Sequence, residues 1–129
     1  MERVFVGNEN PCLSVCEETR CAFPGYESLC DVFSKAIARA ATGKGKERHA
    51  SPGEKFEDQF ICRGTREEGH GAPRFQAIKK ITEAKRLDKD AAIKELLDAM
   101  VYLAADVIVL SEELEITKKK MSCELKEGI

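Results

Sequence analysis

The sequence predicts a single all-α domain, a helical bundle built around a long C-terminal helix that lies antiparallel to a shorter one. Three observations predict it. Residues 91–116 run for about seven helical turns without a Gly or Pro. Apolar residues recur through the chain at helical rather than alternating spacing. The link Leu87-Asp88-Lys89-Asp90 is so short that the two helices it joins must be antiparallel neighbours. The one strand-like run, 3–6, has no partner elsewhere.

Taken in order, residues 1–27 read as an irregular N-terminal segment, with a short helix starting at Asn10-Pro11 and ending near Cys21. From Ser28 the pattern sharpens. Leu29, Val32, Phe33, Ala36, Ile37 and Ala40 share a helical face, and Gly43 stands where a glycine cap ends a helix. A basic loop punctuated by glycines, 43–50, follows. Ser51-Pro52-Gly53-Glu54 has the order of a capping box and predicts a short helix with Phe56, Phe60 and Ile61 inward, closing before Gly64. Residues 65–72 read as a second polar glycine loop. Pro73 opens a helix whose apolar face is Phe75, Ala77, Ile78, Ile81 and Ala84.

In the long helix, Ile93, Leu97, Met100, Val107 and Ile108 are expected in the core. Glu95, Asp98, Tyr102 and Asp106 form a line on the opposite side; Glu95 and Asp98 are expected in a solvated polar face, and Asp106 to cap a helix crossing or pair with a Lys or Arg. Residues 117–129 read as a polar tail that frays. An apolar half of that width exceeds what three short helices cover, so self-association is expected.

Composition narrows the function. The 129 residues fit one domain, and a net charge of -2 with a pI near 5.8 supplies no general attraction to nucleic acid or anionic membrane. Trp is absent and aromatics are few, which argues against a base-stacking platform. Asp98 and Asp106 interrupt the main apolar stretch, so no membrane span is expected. The first seven residues lack the apolar core of a signal peptide, and cytoplasmic residence follows as the expectation. There the six cysteines are thiols rather than disulfides. Cys12 and Cys16 could share a helix face, with His49 and His70 arriving from loops. There is no second close cysteine pair, so structural zinc is not expected.

Two constellations carry chemistry. Glu95 and Asp98 are three residues apart on one helical face, and Glu83 lies on the preceding helix; three hard oxygen donors of this kind can hold Mg²⁺ against substrate phosphates. Arg48, His49, Arg63, Arg66 and His70 gather beside loop glycines, and Lys79 and Lys80 extend the positive charge, a set suited to a phosphate or nucleotide ligand. No nucleophile is tied to either histidine, and no catalytic residue is assigned.

Residues 76–103, with Gln76-Ala77-Ile78-Lys79-Lys80-Ile81-Thr82-Glu83 and then Glu95-Leu96-Leu97-Asp98, resemble the metal-binding helices of MazG-type all-α nucleotide pyrophosphohydrolases. That resemblance implies Mg²⁺-dependent cleavage of nucleoside triphosphates with Glu83, Glu95 and Asp98 as metal ligands. The chain departs from the family's E-x-x-E helix, because Lys80 and Arg86 stand where a second carboxylate belongs. The segment from Gly43 to Tyr102 is also similar to small accessory proteins of bacteriophages and prophages, through Gly45-Lys46-Glu47-Arg48-His49, Phe56-Glu57-Asp58-Gln59 and the run from Gln76. The resulting expectation is a small helical accessory protein, of phage type, binding a nucleotide or other phosphate with Mg²⁺. The alternative is a non-catalytic protein-interaction module that self-associates or inhibits a host protein.

Overall fold

The computed structural model describes residues 23–43 and 51–127. The expected strand and helix near the N-terminus, the loop 44–50 with Arg48 and His49, and Cys12, Cys16 and Cys21 lie outside the described residues. Within them the chain is four α-helices and one 3-10 turn, with no strand. The helices are α1 (Glu27–Thr42), α2 (Phe60–Glu68), α3 (Gly71–Ala84) and α4 (Lys89–Glu127).

Helix α1 ends where the sequence places its stop. The Gly43 amide donates to the Arg39 carbonyl at 2.8 Å, and a Cβ at this position would overlap that same oxygen. Before α2, Glu54 accepts from the Ser51 amide at 3.0 Å, one half of a capping box. The box closes a turn with Gly53 at φ +76°, and the 3-10 turn Phe56–Asp58 follows. The helix therefore starts later than the capping signal and runs on through Gly64 to Glu68. Residues expected in a second long loop are helical, and the break narrows to Gly69 (φ +97°) and His70. That left-handed angle favours glycine, and it turns the chain from α2 into α3.

The 39 residues of α4 make a rod about 58 Å long. Asp88 caps it by accepting from the Ala91 amide at 2.9 Å. Helix α3 packs antiparallel along it, α1 covers its N-terminal half near Asp98, and α2 covers the middle near Val109. Residues 117–127, expected to fray, continue the helix.

The structure overturns the expected orientation of α4. Its inner face is the line through Glu95, Asp98, Tyr102 and Asp106, with Ala99, Ala105 and Val109 buried beside it. Of the five residues expected inside, Leu97 is buried and Met100 and Ile108 are half-buried, whereas Ile93 and Val107 are exposed. Phe60, Phe75, Ile78 and Ile81, also expected inside, face outward. The physical reason is close approach. Apart from Leu97 and Asp106, the buried residues are mostly small, among them Ala36, Cys62, Thr65, Ala77, Ala99, Ala105 and Val109. Helices meeting through such side chains leave little room for a full row of large aliphatics between them, while carboxylates fit once basic partners from the neighbouring helices satisfy them. Cys62, Ala105 and Val109 form the core cluster, closed by Phe56 and Ile61.

Candidate functional site

Two charged networks line the inner face of α4. The first lies toward its N-terminus. Arg39 of α1 grips Asp98 with both arms of its fork, Nε to Oδ1 at 2.7 Å and a terminal nitrogen to Oδ2 at 3.0 Å. Lys80 of α3 donates to Glu95 at 3.3 Å and lies 3.8 Å from Asp98. The hydrogen bond that Asp98 accepts raises the Arg39 pKa further above its ordinary value, against a smaller opposing effect of burial. Two cations thus occupy the side of α4 where the Glu95 and Asp98 oxygens are presented.

Glu83 is set apart from that pair. It shares a surface hollow of about 570 Å³ with Arg86, Leu87 and Glu95, at the turn between α3 and α4. So Glu83 and Glu95 come to one place, while Asp98 turns toward Arg39. Among the described residues no group of three His, Cys, Asp or Glu side chains is arranged to hold a metal ion.

The second network crosses the middle of α4. Asp106, buried, accepts from Arg74 Nε at 2.6 Å on one oxygen and meets His70 Nδ1 at 2.6 Å on the other. The far ring nitrogen of His70 meets Glu113 at 2.9 Å. An imidazole whose two nitrogens both face carboxylates is at its best doubly protonated. Its pKa is accordingly raised, first by the Glu113 hydrogen bond and then by that of Asp106. Burial pulls the Asp106 carboxyl upward, yet the hydrogen bonds from Arg74 and His70 together outweigh it and hold it below the ordinary carboxylate range. Next to Glu113, Arg66 of α2 forks onto Glu112 at 2.9 and 2.8 Å, which lowers the Glu112 pKa.

The residues expected to gather round a phosphate are distributed differently. Arg63 binds Glu54 at 3.1 Å and the Asp58 carbonyl at 2.9 Å; Arg66 and His70 are engaged by α4; Lys79 is exposed on α3 and Lys80 is on Glu95. Sequence reasoning missed Arg39, Arg74, Glu112 and Glu113. A signal for Arg39 was present, because it follows Ala36 by three residues on a face that otherwise carries apolar side chains. A lone guanidinium there implies an acidic partner on the helix it meets.

The opposite side of α4 is apolar and left open by the other described helices. Ile93, Leu96, Leu103, Val107, Leu110 and Leu114 are exposed, with Met100 half-buried among them. None of the described helices is long and apolar enough to cross a membrane. No protein-family model matches this chain, and neither a curated protein nor a solved structure matches it.

Proposed function

We propose that this chain is a helical protein-interaction module whose working surface is the outer, apolar face of α4. One observation carries the reading. Glu95, Asp98, Asp106 and Glu112 of α4 are engaged in holding α1, α2 and α3, while Ile93, Leu96, Leu103, Val107, Leu110 and Leu114 are turned away from the fold. A contiguous apolar stripe on a chain that has already packed its core marks a surface for another protein. The test replaces Leu103 and Leu110 together by Lys and follows helicity and unfolding at high dilution. The expected result is an intact helical signal and a stability within about 0.5 kcal/mol per site of the parent, as for surface positions. Unfolding of the diluted variant would show that the stripe is core, and would sink the interaction reading.

The groove at the α3–α4 turn supports a second reading, Mg²⁺-assisted binding or cleavage of a nucleotide. Glu83 and Glu95 line that hollow together, and Arg86 stands beside them as a phosphate partner. Lys80 must leave Glu95 for a cation to enter. Titration calorimetry with Mg²⁺ and a panel of nucleoside triphosphates tests it, with Glu95→Gln and Lys80→Glu as variants. Metal-dependent heat that Lys80→Glu strengthens and Glu95→Gln removes supports the nucleotide reading; no heat from any of the three proteins removes it.

A further inference from the structure

One line of residues along the outer side of α4 repeats in a strict pattern. Ile93, Leu96, Met100, Leu103, Val107, Leu110 and Leu114 follow steps of three, four, three, four, three and four, and Thr117 and Met121 continue them. A period of 3.5 residues is the seam of a coiled coil, narrower and straighter than the stripe by which a helix lies on a mixed core. Between Ile93 and Leu114 no charged residue falls on this line or on Ala104 and Ser111 beside it, over a rise of about 32 Å.

Two further features bear on what covers the seam. Residues 114–127, every one exposed, extend α4 past Glu113, which meets His70 at the head of α3. A helical arm of that length is marginal in water without a partner. The seam also has a composition of its own. Leu stands at each of the three positions 96, 103 and 110, and the alternate positions hold Ile93 and Val107 with Met100 and Leu114. Leu on one row and β-branched residues on the other is the combination that favours two parallel strands.

We infer that the seam pairs with the same seam of a second copy, parallel and in register, to make a two-stranded coiled coil along α4 from Ile93 to Met121. The pairing rests on the interaction reading above and names the partner. A stable partner takes about 800 Å² from each copy, and along the seam Ile93, Leu96, Leu103, Val107, Leu110 and Leu114 are each 41–61 % exposed. In the pair each Leu row meets itself, the arm beyond Glu113 gains the cover it lacks, and α1, α2 and α3 stay on the far side of α4.

Sedimentation equilibrium of the full chain, from low to high micromolar concentration, tests the pairing. The expected mass is twice the 14.3 kDa of one chain. Leu103→Lys with Leu110→Lys is expected to weaken association by at least about 100-fold, since two buried leucines are lost from each copy. Orientation is read from Leu96→Cys under mild oxidation, which should link copy to copy well beyond the parent chain, because parallel strands put position 96 beside itself. A 14.3 kDa particle at every concentration overturns the inference, as does a dimer in which Leu96→Cys gives no added crosslink. These failures differ from that of the interaction reading, which falls only if the diluted double variant unfolds.

Discussion

Val107 and Val109 are the same side chain two residues apart on one helix, and the fold predicts opposite consequences for their truncation. Val109 is 1 % exposed, in contact with Cys62 and Ala105, whereas Val107 is 61 % exposed on the outer seam. Val109→Ala removes two methylene equivalents from a dry site, about 1.6 kcal/mol of transfer energy. The space left behind, on the order of 50 Å³, adds roughly 1 kcal/mol more where neighbours do not collapse into it. A loss of about 2–3 kcal/mol is expected. For Val107→Ala the covered part of the side chain is worth about 0.6 kcal/mol, and the better helix propensity of Ala returns about 0.5 kcal/mol. The two nearly cancel. The measurement is urea unfolding followed by circular dichroism, at a concentration where the chain is monomeric, comparing midpoints at constant slope. Equal losses, or a larger loss for Val107, would refute the assignment of the carboxylate line as the inner face of α4.

The charged face gives two more predictions and the cysteines a third. His70 has its pKa raised from an ordinary 6.5 by Glu113 and Asp106, so it binds protons more tightly folded than unfolded. Its stabilisation is therefore complete below about pH 6.5 and is lost as pH climbs through the higher folded value; thermal unfolding across pH 5–9 should show that decline in the parent and a flatter profile in His70→Gln. Asp106→Ala leaves Arg74 and His70 without their shared anion, in a site where the carboxylate is buried. A loss of about 2–4 kcal/mol is expected, against about 1 kcal/mol or less for Asp98→Ala, whose partner Arg39 can turn to water; urea unfolding of the two variants checks the order. Finally, Cys123 is exposed, while Cys62 is buried and burial raises its thiol pKa. Timed alkylation with peptide mapping should find Cys123 modified well before Cys62, and the reverse order would contradict the packing of α2 on α4.

The helices were legible because their signals are local. Gly43 ended α1, Asp88 and Asp90 marked the turn into α4, and the absence of Gly and Pro carried the rod from there onward. The inward face of α4 was not legible from its own sequence. Hydrophobic periodicity identifies which side chains seek burial, and it does not say whether the same chain or another one buries them. Ile93, Leu103 and Val107 obey the period, yet the close-packed side is set by Ala36, Ala77, Ala99 and Ala105, whose fit appears only when the helices are brought together. For the same reason Glu95 and Asp98 read as solvated or as metal ligands, when the deciding partners were Lys80 and Arg39, one fifteen and the other fifty-nine residues away. His70 was singled out for charge, but its neighbours Asp106 and Glu113 come from a helix whose register on α3 no short motif encodes.

A helix that is ionic toward its own chain and aliphatic outward responds to dissolved salt in two directions at once. The Arg39–Asp98 and Arg66–Glu112 bridges keep about a third of their surface in solvent, so mobile ions reach them and shorten the range of their attraction. Sulfate, excluded from apolar surface, drives the aliphatic side toward whatever will cover it. Dilute buffer therefore favours separate chains with their ion pairs at full strength, and concentrated sulfate favours chains that cling to one another while those pairs are screened. A salt series alone, with no substitution, follows both responses.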